Sequence, residues 1–96
     1  MQIEFSAPVV RWDKRVESWF FVTMPQELSE DIRELPAPPR GFGSLRVRAR
    51  IGATRWTTSI FPGAEGYLLP LKRQVRESAS LAEGDIAEVE LEIIDL

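Results

Sequence analysis

The segment from residue 67 to residue 93 constrains the fold most, because its pattern predicts a strand, a short helix, a turn and a second strand. Residues 67–69 are apolar and predict a strand. Pro70 then predicts the start of a helix, since the first helical turn needs no backbone donor there. Gly84 and Asp85 supply turn chemistry. The helix has an apolar stripe of Leu71, Val75 and Ala79, with Lys72, Arg73 and Arg76 on its other side.

The strand after this turn alternates between apolar and acidic residues. This period of two is typical of a strand with one face buried and one face in solvent. The predicted inward residues are Val89, Leu91 and Ile93, and the predicted outward residues are Glu88, Glu90 and Glu92.

A weaker copy of the same unit lies 45 residues earlier, as measured from Pro25 to Pro70. Residues 19–22 predict a strand. The following helix has an apolar face of Leu28, Ile32 and Leu35 and ends at Pro36. Residues 36–41 predict a stiff connector, and Gly43 leads into an alternating strand with Leu45, Val47, Ala49 and Ile51 on one side. Further strands are predicted at 2–10 and 55–61, with a hairpin loop at 12–18.

Composition limits the chemistry that the chain can perform. Its 96 residues, 44% of them hydrophobic, predict a single domain spanning residues 1–96. With neither cysteine nor histidine there is no disulfide framework, no thiolate and no imidazole base. The first residues do not resemble a signal peptide, and no stretch is long enough to span a bilayer. We therefore expect a cytoplasmic protein that has no membrane association.

The hairpin between residues 45 and 60 has a register that the sequence itself favours. Pairing Ile51 with Thr54 across a two-residue loop places Leu45 opposite Ile60 and Ala49 opposite Trp56, which makes one face mostly apolar. The other face then pairs Arg46 with Ser59, Arg48 with Thr57 and Arg50 with Arg55. Opposed arginines disfavour a sheet, so an anionic group is expected nearby.

Charge is divided between two blocks. Residues 40–76 contain eight basic residues and one acidic residue, whereas residues 77–96 contain seven acidic residues and no basic one. We expect Glu88, Glu90 and Glu92 to neutralise Arg46, Arg48 and Arg50 as a cross-strand ladder. The alternatives are plain solvation or a bound anion such as phosphate, a nucleotide or a nucleic-acid backbone. The candidate anion-binding residues are Arg46, Arg48, Arg50, Arg55, Thr57, Ser59, Lys72 and Arg76.

Other constellations carry little chemistry. The helical acidic set Glu27, Glu30, Asp31 and Glu34 has no loop to complete a metal shell, so no metal site is predicted. Ser59 has no histidine to activate it, and activation by Lys72 is disfavoured. Residues 41–43 open a strand, whereas a phosphate-binding loop would open a helix. Trp12, Trp19 and Trp56 are expected to pack in the core or at its rim, although Trp56 could stack on a base.

Several motifs together carry a resemblance to known families. The Leu-Pro pair, the helix ending near Arg76 and the turn at 81–85 resemble the half-barrel unit of AbrB-type swapped-hairpin regulators. A more extensive similarity, at residues 19–22, 40–43, 55–62, 69–72, 75–76 and 84–85, is to the bacterial family catalogued as domain of unknown function nineteen-oh-five. This resemblance implies a mainly β, double-split β-barrel of about six strands with two short helices and an internal pseudo-repeat. It implies no reaction.

The function expected from the sequence is that of a non-enzymatic binding or interaction module, with no catalytic residues and no cofactor. Its partner would be a small anionic ligand or a protein. Nucleic-acid binding, by analogy with the swapped-hairpin regulators, is the alternative and is less favoured because the whole chain has a net charge of −3. We expect a monomer, since both half-barrel units lie in one chain.

Overall fold

The structure is a computed structural model that describes residues 2–13, 18–34 and 43–94. The predicted connector at 36–41, the helix end at Leu35 and Pro36, and the centre of the loop at 12–18 lie outside the described residues. The described elements are, in chain order, β1 (Gln2–Pro8), β2 (Val10–Asp13), β3 (Ser18–Thr23), α1 (Gln26–Arg33), β4 (Leu45–Ile51), β5 (Thr54–Pro62), β6 (Tyr67–Pro70), α2 (Arg73–Ser78) and β7 (Ile86–Ile93).

The strands form one antiparallel sheet in the order β1-β7-β4-β5-β6-β3-β2. Its two edge strands, β1 and β2, are separated in the chain by Val9 alone, so the sheet curls and brings these two edges close together at this residue. Val9 is buried at this seam. Its N–H donates to the carbonyl of Asp85 and its carbonyl accepts from the N–H of Gly84, each at 2.8 Å. The result is a curled half-barrel with two short helices, which confirms the mainly β split-barrel fold that the resemblance implies.

The internal repeat appears in the pairing of the strands. The first copy is β3, α1 and β4, and the second is β6, α2 and β7. β3 pairs with β6, and β4 pairs with β7. Corresponding strands of the two copies therefore lie side by side and antiparallel.

Alternation along the strands places the core inside the curl, as predicted. Every second residue of β1, β4 and β7 is buried. Because β4 and β7 are neighbours in the sheet, their predicted inward sets form one continuous apolar surface, which the curl of the sheet removes from solvent. The core includes Ile3, Phe5, Val22, Met24, Val47, Ile60, Leu69, Val89 and Leu91.

Two predicted boundaries were wrong. The strand predicted at 2–10 divides at Val9, and its second part extends to Asp13, which gives seven described strands where about six were expected. The second helix begins at Arg73 and not at Pro70. Pro70 pairs with Phe21 in the sheet, and the N–H of Leu71 donates to the carbonyl of Phe20 at 2.8 Å. The backbone is therefore still held by the sheet where the proline pattern predicted a helix.

Among the described residues, neither helix has the length or the apolar character needed to cross a lipid bilayer.

Candidate functional site

The β4–β5 hairpin has the predicted register at every pair. Leu45 lies opposite Ile60, Ala49 opposite Trp56, and Ile51 opposite Thr54. On the outer face the pairs are Arg46 with Ser59, Arg48 with Thr57, and Arg50 with Arg55. The apolar inner face therefore fixes which polar side chains share the outer face.

The acidic strand β7 lies on the other side of β4 and supplies two rungs of the predicted ladder. Arg48 Nη1 donates to Glu92 Oε1 at 2.6 Å. Arg50 forms an ion pair with Glu90 and donates from Nε to Oε2 at 2.7 Å. Arg48 and Arg50 are therefore neutralised within the sheet.

The third rung of the ladder was predicted wrongly. The antiparallel register places Arg46 beside Ile94, whose N–H donates to the Arg46 carbonyl at 3.0 Å. Glu88 lies beyond the end of the β4–β7 pairing and stands opposite Ser6 of β1. Glu88 and Arg46 are thus at opposite ends of the pairing, which spacing along each strand could not reveal.

The Arg50–Glu90 pair also offsets the repulsion between Arg50 and Arg55. The hydrogen bond from Arg50 lowers the pKa of Glu90 below its ordinary value, and the charges of Arg50 and Arg55 lower it further. In return, the hydrogen bond to Glu90 raises the pKa of Arg50. An internal carboxylate therefore supplies the anionic group that the sequence required at this position.

Replacing Glu90 with glutamine is expected to lower the melting temperature slightly at neutral pH and to have no effect in acid. The pKa of Glu90 is lower in the folded chain than in the unfolded one, so ionisation stabilises the fold above the ordinary carboxyl value of about 4.3. This contribution is lost as the pH falls through the lower, folded value. Melting curves of wild type and Glu90→Gln from pH 7 to pH 3 measure the difference.

The matched control is Glu88→Gln. Glu88 lies on the same strand and forms no ion pair with any described residue. At neutral pH its substitution should lower the melting temperature by less than Glu90→Gln does, because no ion pair with a described residue is lost. A difference between Glu90→Gln and wild type that does not change with pH would contradict the ionic role of Glu90.

The structure divides the eight candidate anion-binding residues between two grooves. Arg48, Arg50 and Arg55 line a groove of about 420 Å³, which also contains their partners Glu90 and Glu92. Thr57 borders both grooves. The second groove, of about 560 Å³, lies where α2 packs beside β5, and we call it the basic groove. It brings together five of the candidates: Arg46, Thr57, Ser59, Lys72 and Arg76.

The basic groove differs from its neighbour in charge. Among the residues that the structure describes, the charged side chains that line it are Arg46, Lys72, Arg73 and Arg76, and none of the lining residues has a carboxylate. Arg73 donates to Glu77 at 2.8 Å, so its charge is paired, although Glu77 does not line the groove. Lys72 forms no ion pair with any residue that the structure describes. Positive potential therefore accumulates here, unlike in the first groove.

Arg76 is fixed against the wall of the basic groove. Its guanidinium carbon lies 3.7 Å from the centroid of the Phe20 ring, and its Nε donates to the carbonyl of Leu71 at 3.2 Å. The backbone bond uses one of the five N–H donors of the guanidinium. A stacked and anchored arginine loses less entropy when it binds an anion than a freely rotating one does.

An apolar cleft of about 140 Å³ opens beside the basic groove, and sequence reasoning missed it. Trp19, Phe61 and Pro70 line both the cleft and the groove. We call this apolar cavity the aromatic cleft. Its other described lining residues are Trp12, Phe21 and Leu68.

The sequence did contain a signal for the aromatic cleft, because Trp12 and Trp19 stand at the two ends of the predicted hairpin loop. In the structure Trp12 lies directly opposite Trp19 in the β2–β3 pair, and both are about half exposed. The uninterrupted apolar run at 19–22 concealed the alternation that turns Trp19 outward. Trp56, in contrast, is partly buried and packs against the core as expected.

Comparison with known families agrees with the sequence motifs. A family model described as Domain of unknown function (DUF1905) matches residues 5–91. The chain belongs to this family. The match includes β3, β5 and α2, which line the basic groove. No match was found among curated proteins.

Proposed function

We propose that this member of the DUF1905 family is a non-enzymatic binding module that takes an anionic ligand in its basic groove. One observation carries the proposal: four cationic side chains from β4 and from the segment around α2 converge on a groove, and none of the described residues that line this groove has a carboxylate. Arg48, Arg50 and Arg55 line the other groove, so the proposed site consists of the candidates that line the basic groove, with Arg73 added: Arg46, Thr57, Ser59, Lys72, Arg73 and Arg76.

The chemistry of the lining suits a phosphate or a similar anion. Guanidinium groups donate paired hydrogen bonds to oxyanions, and a lysine adds a point charge. The hydroxyls of Thr57 and Ser59 border the same groove and are further donors. Cations gathered in a concave site raise the local concentration of an anion, so the geometry favours binding in this groove over a flat surface.

The same groove gives little support to catalysis. Ser59 and Lys72 both line it, but the described structure has no hydrogen bond between them. A serine nucleophile needs a base within hydrogen-bond reach. Retaining and releasing a ligand requires only the charges and donors already described.

Inorganic phosphate is expected to raise the melting temperature of the wild-type chain above that in a neutral buffer of equal ionic strength. A ligand that binds only the folded state stabilises it by an amount that grows with its concentration relative to the dissociation constant, about 2.7 kcal/mol at a hundredfold ratio. Differential scanning fluorimetry with increasing phosphate, and with tripolyphosphate as a more highly charged probe, measures the rise.

The rise should be reduced in Lys72→Gln and retained in Arg48→Gln. Lys72 lines the basic groove, whereas Arg48 pairs with Glu92 in the other groove. Both substitutions remove one exposed positive charge and leave the core untouched. No anion-specific rise in wild type, or an equal rise in both variants, would refute the proposal.

A further inference from the structure

The basic groove and the aromatic cleft share one wall, and this arrangement identifies the kind of anion that would fit both. Trp19, Phe61 and Pro70 face both cavities, so a ligand seated among the cations lies directly beside aromatic rings. The cleft is almost wholly apolar, whereas basic and hydroxyl side chains line part of the groove. A ligand that filled both would need an anionic group joined to a flat, apolar ring.

We propose that the ligand is a nucleoside phosphate, either free or as a unit of a single-stranded nucleic acid. Its phosphate would lie in the basic groove and its base in the aromatic cleft. This inference rests on the proposed function, because it assigns the basic groove to the phosphate. In a nucleoside phosphate, one sugar joins an anionic phosphate to a planar base.

The aromatic side chains are suitably placed to stack on a base. Trp12, Trp19 and Phe61 are 53%, 49% and 40% exposed, although large apolar side chains usually avoid such exposure. They belong to β2, β3 and β5, so paired strands fix their positions. Aromatic side chains presented by a sheet are a recurrent platform for unstacked bases, which bind through their flat faces.

The charge distribution favours a single nucleotide unit or a single strand over a duplex. A duplex needs a basic face continuous enough to follow two phosphate backbones. Here the strand next to β4 presents Glu90 and Glu92 on the outer face, so the positive surface is interrupted within one strand of Arg46. The available positive charge is concentrated in one groove beside one aromatic cleft.

The test compares ligands that share a phosphate and differ in the base. Isothermal titration calorimetry of the full chain would use adenosine monophosphate, ribose 5-phosphate, which lacks the base, and adenosine, which lacks the phosphate. We expect adenosine monophosphate to bind about 5- to 150-fold more tightly than ribose 5-phosphate, the range that stacking of one base provides.

An eight-nucleotide single strand tests whether the ligand is a nucleic acid or a free nucleotide. Tighter binding of that strand indicates nucleic acid, whereas equal or weaker binding indicates a free nucleotide.

Two variants separate the base site from the phosphate site. Trp12→Ala should remove the preference for adenosine monophosphate and leave ribose 5-phosphate binding nearly unchanged, because Trp12 lines the aromatic cleft but not the basic groove. Lys72→Gln should weaken the binding of both ligands. Val10→Ala is the matched control, because Val10 is also an exposed apolar residue at this edge of the sheet but does not line the cleft. It should behave as wild type. Circular dichroism melts of the three variants confirm that each one is folded.

The outcomes distinguish this inference from the proposed function. Equal affinity for adenosine monophosphate and ribose 5-phosphate in wild type would overturn the nucleoside assignment and leave the anion site standing. Absence of binding by every phosphate ligand would overturn both. Phosphatidylserine vesicles test a lipid as the ligand. If the protein binds these vesicles, and ribose 5-phosphate and adenosine monophosphate displace it equally, the nucleoside assignment is overturned, because the aromatic cleft would then contact lipid.

Discussion

Replacing Ile60 with alanine is expected to lower the free energy of unfolding by about 2–5 kcal/mol. Ile60 has no exposed surface, and it lies opposite Leu45 on the inner face of β5. Truncation removes buried apolar area and leaves a cavity that the paired strands cannot readily close. Urea denaturation followed by tryptophan fluorescence measures the loss as a lower midpoint with an unchanged slope.

The control for Ile60→Ala is the next residue on the same strand. Phe61 points to the outer face and is 40% exposed, so Phe61→Ala should cost about 1 kcal/mol or less. The two variants separate the roles of the two faces of β5, because only Phe61 lines the candidate site. A similar loss of stability in both would show that the outer face contributes to the core, contrary to the burial pattern.

Much of the sheet could be predicted because its strands alternate. In β4 and β7 every second residue is apolar, so only one register of the β4–β5 hairpin buries the apolar set, and that register is observed. The same alternation placed the arginines and glutamates on a common outer face. Two ion pairs of the predicted ladder followed from that placement.

Boundaries that depend on contacts distant in sequence could not be predicted. Pro70 has the local features of a helix start, yet β3 holds it in the sheet. Val9 lies within the apolar residues 7–10, which extend the predicted strand, but its hydrogen bonds to Gly84 and Asp85 end the strand there. In both cases the partner is more than 45 positions away, and no local pattern identifies it.

The candidate site was predicted only in part, for the same reason. The sequence identified the cationic and hydroxyl side chains, but it treated them as one set. The direction of β7 decides which arginines are neutralised, and the packing of α2 beside β5 decides which join Lys72 and Arg76. The aromatic cleft was missed because Trp19 lies in an apolar run that is typical of a buried strand.

Gly66 lies in a loop, and the sequence gives no sign that this position requires glycine. The reason is a buried junction between α1 and β6. Gly66 is buried with φ of +151°, and its carbonyl accepts from the N–H of Gly63 at 3.0 Å. Next to it, the N–H of Tyr67 donates to Ser29 Oγ at 3.0 Å, and the N–H of Met24 donates to the Tyr67 carbonyl at 2.8 Å. These bonds hold the start of α1 close against the backbone of Gly66.

Replacing Gly66 with alanine is therefore expected to destabilise the fold by about 2–6 kcal/mol, the sum of backbone strain at positive φ and of overpacking. The added Cβ would overlap the backbone oxygen of Met24 and lie 2.9 Å from Ser29 Oγ, and neither atom is the end of a long flexible side chain. Gly52→Ala is the matched control, because Gly52 also has positive φ, at +59°, but a Cβ there meets nothing within 4 Å. It should cost only about 1–2 kcal/mol. Chemical denaturation of both variants measures the difference, and equal losses would show that the close approach of α1 to Gly66 adds nothing beyond the strain of the turn.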